Sequence, residues 1–362
     1  MAKNNLIKSK LKDNRKNITS YAIVIIAYIV FQTLISTGNI KSVTKGLLVP
    51  ICAYVLMALS LNLTVGILGE LSLGHAGFMS VGAFSGVTVA VALQTAVPVP
   101  WVRFLIAVVV AVVFAALAGL LIGIPVLRLN GDYLAIVTLA FGEIIKSILN
   151  NLYIGIDEAG FHMSMLSDNT NLAEGGKMII QGPMGIGGIK KISNFTFGAI
   201  LIVIALVVIF HIINSRYGRA IMAIRDNRIA AESVGINVTK YKLMVFAISA
   251  AMAGAAGALF GLNFSTVIAN KFGFDTSILV LVFVVLGGLG NMTGSIISAT
   301  VLTVLPEALR QFSDYRMLVY AIVLIIVMLL KNNKRFMIWL NEKIGALKAK
   351  FVKKPAEKEA AK

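Results

Sequence analysis

The sequence predicts an all-α protein, a polytopic membrane bundle of about ten spans. Three observations predict this class: 58% of the 362 residues are hydrophobic, only 14% are charged, and the mean hydropathy is +0.89. Soluble domains carry about 25% charged residues, and an apolar stretch of about 20 residues is long enough to cross a bilayer. Such stretches recur along the chain, so a soluble globular protein is excluded.

The apolar stretches divide the chain into a basic tail (residues 1–17), a transmembrane domain (residues 18–330) and a second basic tail (residues 331–362). The third, eighth and ninth spans are short or interrupted by glycine. The alternative interpretation is that some of them are re-entrant segments and not full crossings, which is allowed only where protein covers their backbone. The predicted spans are residues 21–35, 47–66, 73–93, 101–126, 133–150, 195–213, 243–264, 276–289, 295–309 and 317–330.

The distribution of Lys and Arg predicts the orientation in the membrane. Six cations precede Ile18, and ten more lie within residues 331–362. Cationic loops stay in the cytoplasm, and ten crossings return both termini to the same side. We therefore expect a multi-pass protein of the cell membrane with both termini cytoplasmic, residues 215–242 inside and residues 151–194 outside. The net charge of +17 lies largely in these tails, which indicates contact with membrane lipid and not with nucleic acid.

Residues 215–242, which we call the docking segment, are polar and basic although they lie between two apolar runs. Asn227 is a residue type that caps the start of a helix. Gly235 is a residue type that ends a helix in the left-handed conformation, after which Ile236 closes over the last turn. The sequence therefore predicts a short capped helix between Asn227 and Gly235.

Small residues on this short helix, Ala230, Ala231 and Ser233, would let the surface of another protein approach closely. The alternative is a solvated connector that its charge holds inside, because charged runs usually form a solvated face. A mere connector needs neither helical structure nor a capped turn. We therefore interpret the docking segment as a helix that contacts a partner protein.

Several polar residues are candidates for a polar path across the bundle. Polar and ionisable groups at membrane depth usually face a bundle interior or a cavity. Ser72, Gly74 and His75 lie in a glycine-rich apolar stretch. The alternative for His75 is that it has no role in a path and only hydrogen-bonds to backbone that glycine leaves accessible. Glu143 either lines the path or pairs with Lys146, three residues away on the same helix face, and pairing is the favoured interpretation. The further candidates are Asn62, Thr64 and Asn263.

Four pairs of glycines are spaced four residues apart, a spacing that clears a groove in which another membrane helix can pack. We expect a tightly packed bundle, with some of this packing possible against a second subunit. The pairs are Gly82 with Gly86, Gly119 with Gly123, Gly257 with Gly261, and Gly290 with Gly294.

The sequence offers no catalytic or metal-binding set. The motif GxxxxGK[ST], which binds nucleotide phosphates, does not occur, so ATP is not bound by that route. His75, His162 and His211 are scattered over a span, a loop and a span end, and Cys52 is the single cysteine. We therefore predict no catalytic residue and no metal site.

Four motifs resemble the branched-chain amino-acid permease subunits of ATP-binding cassette importers. They are LSLGHAGFMSVGAF, LRLNGDYLAIVTLAFGEIIKSILNN, GPMGIGGI and GRAIMAIRDNRIAAESVGINVTKYKLMVFAISAAMAGAAGALFG, in order between residues 47 and 330. GDYLAIVTLAFGEII and the long outer loop resemble the LivM-type subunit more than its LivH-type partner. The loop that couples the family's permeases to their ATPases corresponds here to Arg219, Arg225, Asp226, Ala230, Ala231, Glu232 and Gly235. One departure is Asp226, where this family often has glutamate.

The resemblance implies that residues 18–330 form the permease domain of an importer for leucine, isoleucine and valine. It implies a LivH-type second permease, two ATP-binding cassette ATPases and an extracytoplasmic substrate-binding protein as partners. This chain would not be an enzyme and would need no cofactor, because ATP is bound by the partner subunits. A related branch that imports urea or short amides is an alternative. A stand-alone secondary transporter is a further alternative, but it would need acidic ion ligands near the midplane.

Overall fold

The structure is a computed structural model that describes residues 2–38, 42–94, 96–129, 131–157, 160–165, 176–310 and 315–332. The described residues divide into two compact units, with the division between Thr303 and Val304. The described helices are α1 Ala2–Ser36, α2 Ser42–Asn62, α3 His75–Ala92, α4 Pro100–Val126, α5 Asp132–Asn150, α6 Phe195–Asn214, α7 Arg216–Asp226, α8 Arg228–Ser233, α9 Val238–Gly261, α10 Phe274–Gly287, α11 Met292–Ala308 and α12 Arg316–Asn332.

The all-helical membrane class is confirmed. Apart from α7 and α8, each described α-helix coincides with one predicted span. Seven helical segments in the described residues are long and apolar enough to cross a membrane. They include α3 and the segment Ala269–Gly287 that contains α10, whereas α11 is a shorter apolar helix. The first predicted tail is part of α1, which is helical from Ala2 onward. The second tail lies outside the described residues beyond Asn332.

Small residues bring α3, α4 and α9 into close contact. A Cβ atom on Gly82 of α3 would overlap the backbone of Gly254 on α9, and one on Gly257 would overlap the carbonyl of Met79. A Cβ on Gly119 of α4 would lie 2.6 Å from the Cβ of Ala250. The predicted close helix packing is therefore confirmed for these three helices, and larger side chains would force them apart.

The predicted outer segment contains a small antiparallel sheet in the order β2-β1-β3. Its strands are β1 Leu152–Asp157, β2 Gly160–Met165 and β3 Lys177–Gln181. Ile154 of β1 is buried and lies opposite both Met163 and Ile180. Residues 166–175 of this segment lie outside the described residues. The sheet was not predicted, because strands of five or six residues have too little alternation to stand out from a polar loop.

The sheet and the docking segment lie at opposite ends of α6. This helix of 20 residues begins shortly after the sheet and ends at Asn214, next to α7. At about 1.5 Å per residue it separates the two by about 30 Å, which is the thickness of a hydrocarbon core. The fold therefore places the docking segment and the sheet on the two sides of the bundle.

Candidate functional site

The docking segment folds into two helices, each capped by its preceding polar residue. The Oγ of Ser215 accepts a hydrogen bond from the backbone N–H of Gly218 at the start of α7, at 3.3 Å. The Oδ1 of Asn227 accepts one from the N–H of Ala230 at the start of α8, at 3.0 Å. The predicted Asn227 cap is confirmed, and it divides α7 from α8.

The end of α8 also matches the prediction. Gly235 has a φ of +84°, which glycine adopts without steric cost. Its N–H donates to the carbonyl of Glu232 at 3.0 Å, and the N–H of Ile236 donates to the carbonyl of Ala231 at 3.1 Å. These two bonds form a Schellman motif. Ile236 packs against the small core that includes Ala231, so the predicted closure of the last turn is confirmed.

The two faces of α8 differ in burial. Ala231 is only 3% exposed and joins Ile224 and Val238 in that small core. Its predicted place on an accessible surface is therefore wrong, because this face of α8 packs on α7 and α9. Ala230, Glu232 and Gly235 are exposed. Beside them lie two large apolar side chains that the sequence did not single out, Ile229 at 79% and Val234 at 75% exposure.

The charged residues of the docking segment differ in the groups that they contact. Arg219 and Asp226 are exposed, and Arg228 pairs with Glu232 at 3.1 Å, as their spacing of four predicts. Arg225 is also exposed, over 38% of its side chain, and its Nη1 donates to the carbonyl oxygen of Gly66 in the second span at 3.3 Å.

A buried ion pair also joins the docking segment to the residues that directly follow the second span. Lys242, at the start of α9, is 2% exposed and pairs with Glu70, whose side chain is 15% exposed. Lys242 therefore does not belong to a solvated basic loop. The pair was not predicted because its members lie far apart in sequence and no local pattern links them.

Residues 63–74, between α2 and α3, interrupt the α-helical structure, and we call them the break. The second span continues from α2 into a π-helix, Leu63–Leu68, whose residues are all buried. It ends at Gly69, which has a φ of +83°. Helix resumes only at His75. Asn62, Thr64, Ser72, Gly74 and His75, all predicted candidates for a polar path, lie in or beside this break, and each of them is buried.

A buried polar cluster surrounds His75. Its Nε2 lies 2.6 Å from the Oγ of Ser60 and 3.4 Å from the Oγ of Ser249. Ser249 also donates to the carbonyl oxygen of Ser60 at 2.6 Å. His75 therefore contacts hydroxyl groups, and the alternative that it bonds to backbone is wrong. Its Nδ1 is buried and has no hydrogen-bond partner in the described part of the chain.

Asn62 ties the break to the turn between α10 and α11. Its Oδ1 accepts a hydrogen bond from the N–H of Gly290 at 2.8 Å, and its Nδ2 donates to the Oγ of Ser295 at 2.9 Å. The hydroxyl groups of Thr64 and Ser72 are buried and have no partner among the described residues. The break thus contains more buried polar atoms than the described chain satisfies.

The entry to α3 is held by neighbouring helices. The backbone N–H of Leu73 donates to the Oγ1 of Thr138 on α5 at 3.1 Å. The N–H of Ala76 donates to the Oγ of Ser277 on α10, also at 3.1 Å. A Cβ on Gly74 would overlap the carbonyl of Thr138. Protein therefore covers the non-helical backbone, as a membrane interior requires.

Two predicted path residues lie away from this cluster. Glu143 pairs with Lys146 and accepts a hydrogen bond from the N–H of Phe274 at 3.0 Å, so the geometry supports the pairing interpretation. Asn263 follows α9 in a turn, where its N–H donates to the carbonyl of Phe260 at 3.1 Å. In the described residues, no group of three His, Cys, Asp or Glu side chains is placed to hold a metal ion.

Comparison with known proteins gives consistent matches. Residues 43–328 match the family model described as branched-chain amino acid transport system / permease component. The chain is 34% identical over 322 residues to the high-affinity branched-chain amino acid transport system permease protein LivM of Salmonella typhimurium, and 33% identical to that of Escherichia coli. Each alignment covers 85% of this chain and 72% of the relative. LivH of Salmonella typhimurium is 26% identical over 288 residues, which is 76% of this chain and 88% of LivH.

Proposed function

The chain belongs to the branched-chain amino acid transport permease family, and we propose that it is the LivM-type membrane subunit of an ATP-driven importer for leucine, isoleucine and valine. In this proposal a LivH-type subunit completes the membrane part. Two ATPase subunits bind and hydrolyse ATP, and an extracytoplasmic binding protein delivers the amino acid. The similarity to both LivM and LivH supports a permease pair, because the two relatives carry the names of different subunits of one transport system.

The observation that carries the proposal is the exposed face of α8. Ile229 and Val234 expose most of their apolar surface on a helix that is capped at both ends. Exposed apolar side chains on a fixed helix suit a partner groove, in which the helix lays its apolar residues. Glu232 beside them would set the register against a basic partner surface. We propose that this face docks on an ATPase subunit.

The break between α2 and α3 is the part of the structure that supports a role in transport. Non-helical backbone and buried polar atoms inside a membrane bundle are features of transporter pathways. We propose that Asn62, Thr64, Ser72, Gly74 and His75 lie along or beside the translocation path. Glu143 would not, because its carboxylate pairs with Lys146 and accepts a hydrogen bond from the N–H of Phe274. Asn263 would not, because it lies in the turn that follows α9.

The orientation of the bundle is part of the proposal. The docking segment and both tails would be cytoplasmic, and the sheet would face outside, since Lys and Arg favour the inner side. Ser233 is exposed on α8, whereas Cys52 is buried. After Cys52→Ala, a cysteine at Ser233 should react with an impermeant thiol reagent only in inverted vesicles. A cysteine at the exposed residue Gly187 should react only in right-side-out vesicles. Labelling of Ser233→Cys from outside would contradict this orientation.

The experiment that tests the function is ATP hydrolysis by the purified four-subunit complex in nanodiscs. Binding protein loaded with leucine, isoleucine or valine should stimulate hydrolysis, whereas unloaded binding protein should not. Urea and short amides serve as the comparison ligands. Stimulation by amide-loaded binding protein alone would assign the chain to an amide importer instead.

A further inference from the structure

The second span loses α-helical geometry at the level of the docking segment. Its π-helix, Leu63–Leu68, is buried along its whole length, and Gly69 then leaves the helix with a positive φ. The N–H groups of both Gly69 and Glu70 donate to the carbonyl of Thr64. π-helical turns often occur at functional sites, and a helix broken in this way can bend where a straight helix cannot.

Arg225 connects α7 to this break in two ways. Its Nη1 donates to the carbonyl of Gly66 at 3.3 Å. Its aliphatic stem lies against Gly69, where a Cβ atom would come within 2.6 Å of the Cγ of Arg225. The Nε and Nη2 of the same guanidinium donate to the Oδ1 of the exposed Asp226, at 3.1 and 3.0 Å. One side chain thus joins the surface of the docking segment to the backbone of the second span.

The Lys242–Glu70 pair forms a second connection to the same break. Glu70 directly follows Gly69, and Lys242 lies at the start of α9, at the end of the docking segment. Both charges are largely removed from water. Separating them would leave an unpaired charge in a poorly hydrated site, which is strongly unfavourable. A movement of the start of α9 must therefore carry Glu70 with it or break the pair.

Asn62 lies at the other end of the π-helix and faces the bundle. Its two hydrogen bonds hold Gly290 and Ser295, which belong to the α10–α11 turn and to α11. A Cβ atom on Gly66 would overlap both Asn62 and the backbone of Gly290. The π-helix is therefore packed between the docking segment on one side and the α10–α11 turn on the other.

We propose that Arg225 and the Lys242–Glu70 pair are positioning residues that transmit movement of the docking segment to the broken second span. The proposal rests on the proposed function, in which α8 docks on an ATPase. It assigns Arg225 to coupling inside this chain and not to the docking surface. The π-helix is the element that moves, and Asn62 passes its movement to the α10–α11 turn.

The first test replaces Arg225 and leaves α8 unchanged. Arg225→Met keeps the length of the stem but removes the bonds to Gly66 and Asp226. The matched control is Arg128→Met, which removes an exposed cation from the connection between α4 and α5. Arg225→Met should retain normal membrane abundance, co-purification with the ATPases and basal ATP hydrolysis. Its stimulation by leucine-loaded binding protein should fall at least about tenfold, and the control should behave as the unmodified complex.

Two results would overturn the role of Arg225. Full stimulation in Arg225→Met would mean that its bond to Gly66 transmits nothing. Loss of co-purification would place Arg225 on the docking surface itself. A thermal unfolding curve of each purified complex shows whether any loss of stimulation accompanies a loss of stability, which the proposal does not expect.

The second test exchanges the charges of the buried pair. Glu70→Lys and Lys242→Glu alone each place two like charges together and should abolish stimulation. The double variant restores an ion pair of reversed order, and its stimulation should be at least about tenfold greater than that of either single variant. Glu70→Gln with Lys242→Met keeps the site uncharged, so it should fold normally yet remain unstimulated. Full stimulation of this uncharged variant, or no recovery in the reversed pair at normal abundance, would refute the role of the pair.

Failure of this inference can be distinguished from failure of the proposed function. If no loaded binding protein stimulates even the unmodified complex, the proposed function is wrong. If the unmodified complex is stimulated and all these variants respond equally well, the function stands and the transmission role is wrong.

Discussion

The side-chain oxygen of Asn227 accepts a hydrogen bond from the backbone N–H of Ala230 at 3.0 Å. This bond starts α8 directly after α7 has ended at Asp226. It fixes where the exposed face of α8 begins, and therefore how Ile229 is presented. A helix of six residues depends on its caps, because it has few internal hydrogen bonds of its own.

Removing this cap should weaken α8 without unfolding the protein. Loss of an N-cap costs about 1 kcal/mol of helix stability. Asn227→Ala should therefore insert normally but bind the ATPases several-fold more weakly, as measured by titrating ATPase subunits onto the purified permease pair. Asn227→Asp is the control, because aspartate caps about as well as asparagine. Equal affinity in Asn227→Ala and the unmodified protein would show that the cap does not shape the docking surface.

Gly235→Val should disrupt the end of α8 by backbone strain alone. No heavy atom lies within 4 Å of a Cβ atom built at Gly235, but the φ of +84° is unfavourable for a β-branched residue. The variant should reach the membrane at normal abundance and lose uptake. Gly187→Val is the matched control, since its site is equally open and its φ is not positive. Normal uptake in Gly235→Val would show that the docking segment is only a connector between two spans.

Glu232→Lys tests the charge on the exposed face. The Arg228–Glu232 pair is largely solvated and contributes less than about 1 kcal/mol to stability. The variant should therefore stay folded while its co-purification with the ATPases falls. Glu232→Gln is the control for loss of the pair without charge reversal and should fall less. If Glu232→Lys co-purifies normally, this carboxylate does not contribute to the subunit contact.

Variants at the Ser60–His75 contact can distinguish a structural role of the buried polar cluster from a role in transport. Ser60→Ala should lower stability by about 1–3 kcal/mol, because it leaves a buried ring nitrogen without its short contact. The double variant Ser60→Ala with His75→Phe removes both polar groups and should recover much of the thermal stability. Uptake should remain low in the double variant if this cluster lies on the path. A double variant that is both stable and fully active would make the cluster purely structural.

The helices were predictable from the sequence because apolar length is a local property. Every predicted span has a helix near its place, and the caps of α8 were readable from Asn227 and Gly235, eight positions apart. The contacts that join the elements were not. Glu70 with Lys242, Arg225 with Gly66, and Asn62 with Ser295 each join residues that no sequence spacing connects. The burial of Ala231 was missed for the same reason, since it depends on where α7 and α9 pass.

Import driven by ATP can be measured as uptake of labelled leucine into proteoliposomes that contain the two permeases and the two ATPases. Binding protein is supplied outside and ATP inside. We expect uptake that requires both the binding protein and ATP. Isoleucine and valine should reduce it by competition, and urea and ionophores should leave it unchanged. Uptake that proceeds without ATP and collapses when an ion gradient is dissipated would contradict the proposed function and identify a secondary transporter.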